Sequence, residues 1–401
     1  MKQDNTIRFN MPKEWDANAH QLWLEAKPQE AIQALLGSIN KYGARKPEQL
    51  VLQFAYYLFL LGDFVSGIQV LENHISQTPL SVMVGQNLAV MYARNEQLEQ
   101  AVDMARRTLA LDPANVLAND VLATALHGLG RLEEAAEAGT ASLTLKDANA
   151  GPVRKGWSLP DIAPSEYAAD KKKVIAFSLW GANPRYLRGA LQNVLLAPEF
   201  YPGWEVRFHV DESVSAEFLS LLEEQGAVLE RSSASQPLRH KLCRRFMVAD
   251  DPSVGYFLVR DADSVFSRRE AELVGQWMES GKWFHVIRDW WTHTDLMLAG
   301  MWGGVAGVLP SMSGLLRDYM PESVETPNVD QWFLRDRVWA YVRQSCMIHD
   351  SCYGLEGTTP IPGGYPSLEG HIGHNEYSAH HREQAELLAG WIEKFSCLTN
   401  G

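Results

Sequence analysis

The sequence predicts two architectures in one chain: an all-α array of repeated helical hairpins, then an α/β unit on a largely parallel sheet. Three observations predict them. Small apolar residues recur every 34 positions across roughly residues 48–148. Beyond Lys173, short apolar runs alternate with stretches of helical spacing. The fourth of those runs ends directly in two carboxylates two residues apart, Asp261 and Asp263, in the stretch FLVRDADSVF.

The repeats come first along the chain. Shifted by 34 residues, Leu88, Ala89 and Ala101 become Leu122, Ala123 and Ala135. Shifted back by 34, Ala89 becomes Ala55, Ala101 becomes Gly67 and Pro113 becomes Pro79. Gly62 and Gly130 lie two periods apart, each at the turn between two helices. Small residues at these positions let paired helices approach closely. Period and pattern resemble the tetratricopeptide repeat, a helix–turn–helix unit of about 34 residues. Three units are recognisable, and residues 15–45 read as a degenerate earlier one, so residues 1–148 form the helical domain. Such units stack into a solenoid because none buries its apolar face alone. The solenoid is either a surface that binds a protein or peptide or a helical prop, with a dimer contact as one form of it. Tyr56, Tyr57, Phe59, Phe64 and Tyr92 read as inter-helix packing.

Residues 149–170 break the helical pattern with Pro152, Pro160 and Pro164, and read as a connector packed along the surface. Residues 171–401 form the second domain. VIAFSL (174–179), EVRFHV (205–210), AVLE (227–230) and YFLVR (256–260) read as strands. The segments 184–197, 215–226 and 238–249 between them read as helices. This alternation implies a mostly parallel sheet with helices on both faces. Ligands of such sheets sit at the carboxyl ends of the strands, where the Asp pair lies.

Side chains at i and i+2 of an extended backbone point the same way, so Asp261 and Asp263 are expected to face one point. Two adjacent carboxylates repel unless a cation or a shared proton relieves them. Their oxygens suit Mg²⁺ or Mn²⁺, which keep positions open for substrate phosphates. Two other readings stand beside this one: an acid dyad without metal, and Asp263 capping the helix that follows.

At these residues the chain resembles the GT-A glycosyltransferases, whose hallmark is a D-x-D after the fourth strand of a Rossmann-like sheet. The resemblance covers about residues 173–365. It extends to a bacterial glycosyltransferase-like group through the segment from FSLWGANPRY to HVDESV, the block from RRFMVADD to DWWTH, and LAGMWGG, VDQWFL and IHDS. It implies transfer of a sugar from a nucleotide-sugar, UDP-sugar favoured, to an acceptor hydroxyl. It also implies a divalent metal held by Asp263 and Asp261, with His349 either the third ligand or a solvated loop histidine. Trp180, Asn183 and Arg185 follow the first strand, where the nucleotide is expected: Trp180 stacks on a base or lies in the core, and Arg185 meets a phosphate. Arg260 either screens the Asp pair or binds phosphate. Arg288 and Asp289, at the end of FHVIRD, are placed to bond sugar hydroxyls. Trp302 offers a flat face to a pyranose, and Gly303 and Gly304 let the backbone approach it. Asp330 is the general base, an acceptor contact, or a first-turn acidic residue of its helix. The chain departs from the group at SVF after the D-x-D, where a more basic SRL is expected, which bears on nucleotide affinity.

The rival reading is a transferase-like scaffold without activity that acts through the repeats. A nucleotidyltransferase would want a glycine-rich phosphate loop after the first strand, and LWGANPRY has one glycine.

Composition limits the remaining choices. The 401 residues hold two or three domains, and 46% apolar with 21% charged content is that of a globular protein. A net charge of −13 argues against non-specific nucleic-acid binding while permitting a local basic pocket. Four irregularly spaced cysteines suggest neither a zinc site nor a disulfide framework, so a reduced cytoplasm is expected. The first twenty residues lack the apolar core of a signal peptide, and no apolar run is long enough to span a membrane.

Overall fold

The computed structural model describes residues 11–43, 46–321, 328–367, 370–374 and 382–399, the side chains of 382–385 excepted. The chain divides into two compact units, Asn10–Ala148 and Asn149–Gly401.

The first unit is four helical hairpins: α1 (Ala17–Leu24) with α2 (Pro28–Asn40), α3 (Glu48–Leu60) with α4 (Phe64–Ile75), α5 (Val82–Arg94) with α6 (Leu98–Leu111), and α7 (Val116–Gly128) with α8 (Leu132–Ala148). The 34-residue positions sit where helices touch: Ala89, Ala101, Ala123 and Ala135 are fully buried, and Ala55 is nearly so. A Cβ on Gly67 would lie 2.7 Å from the Met91 Cε, so a larger residue there would require the Met91 side chain to shift. The turns inside the hairpins take a left-handed residue at Gly62 and Gly130, both at φ 74°. Glu96, one period from each, occupies the same conformation at φ 60°. The aromatics are packing: Tyr57 stacks on Trp23 at 4.4 Å, and Phe59 meets Phe64 at 5.8 Å. No helix among the described residues is long and apolar enough to cross a membrane.

The second unit opens with residues 149–170, which lie along its surface. Trp157 donates through Nε1 to the Val308 carbonyl and packs edge-on against Tyr341, and α9 (Pro164–Tyr167) follows. The sheet has eight strands: β1 (Lys172–Leu179), β2 (Trp204–Asp211), β3 (Val228–Ser232), β4 (Val254–Arg260), β5 (Phe284–Arg288), β6 (Met301–Val305), β7 (Cys346–Asp350) and β8 (Thr358–Pro360). Their spatial order is 3-2-1-4-6-5-7-8. Every pairing is parallel except the two made by β6, which runs antiparallel between β4 and β5. Helices α10 (Pro184–Phe200), α11 (Ala216–Glu224), α12 (Leu238–Cys243) and α13 (Arg268–Glu279) connect or flank the first strands.

Two segments differ from their sequence expectation. The AGMWGG stretch is strand β6, and its glycines serve the sheet. A Cβ on Gly303 would meet the Phe257 carbonyl at 2.6 Å, and one on Gly304 the Phe284 ring at 2.6 Å. The helix expected over 238–249 stops at Cys243 and tightens into a 3₁₀ segment, Arg244–Asp250. That change sends Arg244 to Asp211 at the end of β2 and Arg245 to Asp261 at the end of β4.

Candidate functional site

A cavity of about 710 Å³ opens at the carboxyl ends of β1 and β4, where the parallel half of the sheet meets the start of reversed β6. Its wall takes Trp180 from the end of β1, Asn183, Arg185 and Tyr186 from the start of α10, and Arg245 from the 3₁₀ segment. Asp261 and Asp263 follow β4, Gly300 precedes β6, and Asp330 comes from α15 (Val329–Phe333), the helix after α14 (Met312–Arg317). The volume lies in the usual range of small-molecule sites, roughly 300–1,000 Å³.

The Asp pair reaches this cavity by a route other than strand alternation. β4 ends at Arg260, and the Ser264 amide returns to the Asp261 carbonyl at 3.1 Å, closing a turn over both carboxylates. Two glycines allow that turn. A Cβ on Gly189 of α10 would lie 2.3 Å from the Ala262 carbonyl oxygen, and one on Gly300 would lie 2.1 Å from the Asp261 Oδ2. Asp263 does not cap the following helix, because the Ser267 hydroxyl accepts from the Glu270 amide at the start of α13.

Guanidiniums hold the carboxylates. Arg185 donates Nε to Asp263 Oδ2 at 2.6 Å, and its Nη2 meets the same oxygen. Arg245 donates Nη1 to Asp261 Oδ1 at 2.5 Å and Nη2 to Asp330 Oδ2 at 3.0 Å, so one buried cation joins the turn after β4 to α15. Its Nε has no partner among the described atoms. Burial raises the pKa of Asp263, the charge of Asp261 adds to the rise, and Arg185 opposes it. Asp330 is pushed up to about 6, first by burial and also by Asp261, against the pull of Arg245. A buried carboxylate with a value near neutrality is poised to accept a proton.

The remaining expected residues lie outside the cavity wall. Arg260 is buried and ion-paired to Glu270 at 2.6 Å, with Nη1 on the carbonyls of Val259 and Trp302; it ties β4 to α13 and β6. Arg288 is wholly buried, pairing with Asp350 at 2.7 Å and donating to the Leu296 carbonyl, which anchors the loop that brings Leu298 and Ala299 to the cavity. Asp289 accepts from Arg269 and from the Ile372 amide, holding the segment that brings Gly373 to the wall. Trp302 packs edge-on between Phe246 and Phe257 and is 1% exposed, which leaves no face for a sugar. Gly303 and Gly304 face other strands, as described. His349 lies on β7, with Nδ1 at 2.8 Å from His285 and Nε2 at 3.1 Å from the Gln276 carbonyl oxygen. Both ring nitrogens are engaged within the second unit, and His349 is not in the wall that holds the Asp pair, so the structure does not place it there as a third ligand. Burial lowers its pKa to about 4.

No group of three or more His, Cys, Asp and Glu side chains that could hold a metal ion gathers among the described residues. The two carboxylates alone suit a hard cation of the kind that takes one or two carboxylates and completes its shell with water and phosphate oxygens. Burial is the first cause of the raised pKa of Asp263, and the repulsion from Asp261 that adds to it is what such a cation would relieve.

Sequence reading did not single out Arg245, Tyr186 or Gly300. For Arg245 the signal lay in the doubled Arg244-Arg245, since neighbouring residues on a helical turn point to different surroundings. For Gly300 the sequence held no signal, because it follows from the β4–β6 register: Arg260 pairs with Met301, so Gly300 faces Asp261 one step on.

Fold and cavity together define a two-unit protein, a helical-hairpin array and an α/β unit with an acidic, arginine-bound cavity at its carboxyl edge. No family model matches the chain, and no curated protein matches it. Among solved structures it is similar to a crystal structure of MamA, at 16% identity over 35% of this chain and 78% of that one, with a TM-score of 0.31. It is also similar to MamA 41-end from Desulfovibrio magneticus RS-1, at 20% identity over 32% of this chain and 71% of that one, with a TM-score of 0.30. These matches span about a third of the chain, and a likeness so slight does not bear on its activity.

Proposed function

We propose that the second unit is a glycosyltransferase that moves a sugar from a nucleotide-sugar to an acceptor hydroxyl, with a divalent cation at Asp261 and Asp263. The observation that carries this reading is the convergence of Asp261, Asp263 and Asp330 on one cavity at the carboxyl edge of the sheet. A bound cation would offset charge building on the departing diphosphate. Trp180 offers a ring for the base, and Arg185, at the start of α10, offers a fork for phosphate oxygens. Asp330 accepts the acceptor hydroxyl proton as that oxygen bonds to the anomeric carbon and the bond from that carbon to the diphosphate oxygen breaks. On this reading the array recruits the acceptor, a protein or a surface glycan.

A second reading has its own observation. Both carboxylates of the pair are already ion-paired to arginines, which favours a transferase-like scaffold that acts through its repeats. Calorimetry of nucleoside diphosphates with and without Mn²⁺, followed by turnover of a panel of nucleotide-sugars, separates the two. Mn²⁺-dependent binding and release of free sugar support the transferase. A protein that binds no nucleotide under either condition is the scaffold.

A further inference from the structure

Resting on that reading, we infer that Arg185 and Arg245 are the diphosphate-binding groups of the cavity, and that the carboxylates of the Asp pair hold them back until a divalent cation takes their place.

Three observations carry this. First, each guanidinium already neutralises a carboxylate the cation would share. Two nitrogens of Arg185 converge on Asp263 Oδ2, and Arg245 Nη1 sits on Asp261 Oδ1. A dication at the same carboxylates would repel both guanidiniums, so the two kinds of occupant compete. Second, among the described residues the charged groups of the cavity wall are Asp261, Asp263, Asp330, Arg185 and Arg245. Three negative charges against two positive leave one net negative charge, which repels a diphosphate; a dication turns that into one net positive charge. Third, the arginines are placed to turn to an anion once displaced. Arg185 stands in the first turn of α10, its side chain 36% exposed. Arg245 has a second hold through Nη2 on Asp330 that does not depend on Nη1, and its buried Nε has no partner among the described residues. Planar guanidinium forks match phosphate oxygens bidentately, more closely than any other side chain. The cation thus contributes twice, by its own charge and by freeing the two arginines, and diphosphate favours cation binding in return because coupling is reciprocal.

The test is a double-mutant cycle on Arg185 and Asp263, read by calorimetry with inorganic pyrophosphate, first in chelator and then in Mn²⁺. In chelator, Asp263→Asn binds pyrophosphate about tenfold more tightly than the natural protein, within the roughly 5–150-fold range typical of coupled sites. Arg185→Gln changes the natural protein little in chelator but cancels that gain in the double variant. If the Asn variant gains equally with and without Arg185, the gain is loss of one negative charge alone and the latch is wrong. Asp263 is buried, and its variant stands at risk of misfolding; Arg185→Gln alone then decides. It must weaken pyrophosphate binding about tenfold in Mn²⁺ and hardly at all in chelator, and equal weakening in both conditions overturns the latch. Natural protein that binds no pyrophosphate even with Mn²⁺ overturns the latch and the transferase reading together. Mn²⁺-dependent binding with an additive cycle overturns the latch alone.

Discussion

At the scale of single residues, Asp330 separates catalysis from architecture. Its carboxylate is buried against Arg245, yet its value of about 6 leaves it ionised at neutral pH. Only the ionised form can take a proton. Transfer measured as kcat/KM should therefore rise with pH through about 6 and be lost as pH falls through it. Asp330→Asn should lower turnover by about 10²–10⁴-fold, the usual contribution of a general base. The acid limb should vanish with it, while pyrophosphate affinity in Mn²⁺ persists. A variant that keeps both turnover and limb removes Asp330 from the chemistry. Gly300 makes a second prediction. An added methyl would overlap the Asp261 carboxylate and approach its backbone nitrogen at 2.9 Å, so the turn must shift. Gly300→Ala should cost about 1–3 kcal/mol of stability, as overpacking does. It should also weaken Mn²⁺ binding about 10–100-fold, as disturbing the support of a ligand does. Unchanged Mn²⁺ titration curves would show that Asp261 holds no cation. The carboxylates were legible in the sequence because the strand-then-acid pattern is local. Arg245 was not, because which of two adjacent arginines reaches the cavity depends on where α12 tightens into a 3₁₀ turn.

At the scale of elements, strand and hairpin patterns read well and antiparallel insertion did not. β1 and β4 announced themselves as apolar runs, buried on both faces as parallel central strands are, and β2 as an alternation of Val206, Phe208 and Val210 with polar residues. β6 was hidden because MWGGV lacks that run: two of its five positions are glycines, required by the Phe257 carbonyl and the Phe284 ring. Reading its glycines as room for a sugar carried Trp302, Gly303 and Gly304 into the expected site. Arg288 and His349 were misplaced for a related reason. A polar residue at a strand end resembles a site residue in sequence, and only tertiary structure shows that Asp350 and His285 already partner them. The hairpins were legible through their period, including a position the period exposes as costly. Glu96 holds the left-handed conformation that Gly62 and Gly130 occupy in the neighbouring units. A side chain there costs about 1–2 kcal/mol, and glycine gives part of that back as unfolded-chain entropy. Glu96→Gly should thus stabilise the array by about 0.5–1 kcal/mol in urea denaturation. A lower midpoint for the glycine variant would mean that the Glu96 side chain makes up for its strained backbone.

At the scale of the whole molecule, the question is what an array of hairpins contributes to a chain whose candidate chemistry lies wholly within residues 149–401. Among the described residues the cavity draws its wall from Ser178 onward, and none of them belongs to a repeat. The α/β unit also keeps its own flank: Trp157 bonds the Val308 carbonyl, the Arg154 amide bonds the Tyr341 hydroxyl, and Ala168 packs against Gly255 of β4. A fragment cut at residue 171 would strip these contacts, whereas one beginning at Asn149 retains them. Residues 149–401 should therefore fold alone and bind pyrophosphate in Mn²⁺ as the full chain does. Release of free sugar from the donor should continue, because water needs no recruitment. Transfer to the natural acceptor should fall, because the fragment must capture that acceptor without the array. The contrast is informative because both reactions share donor, cation and base and differ in the acceptor alone. Full-length rates of transfer from the fragment would assign the array to packing or assembly, and loss of hydrolysis together with transfer would show that the α/β unit depends on the array for its fold.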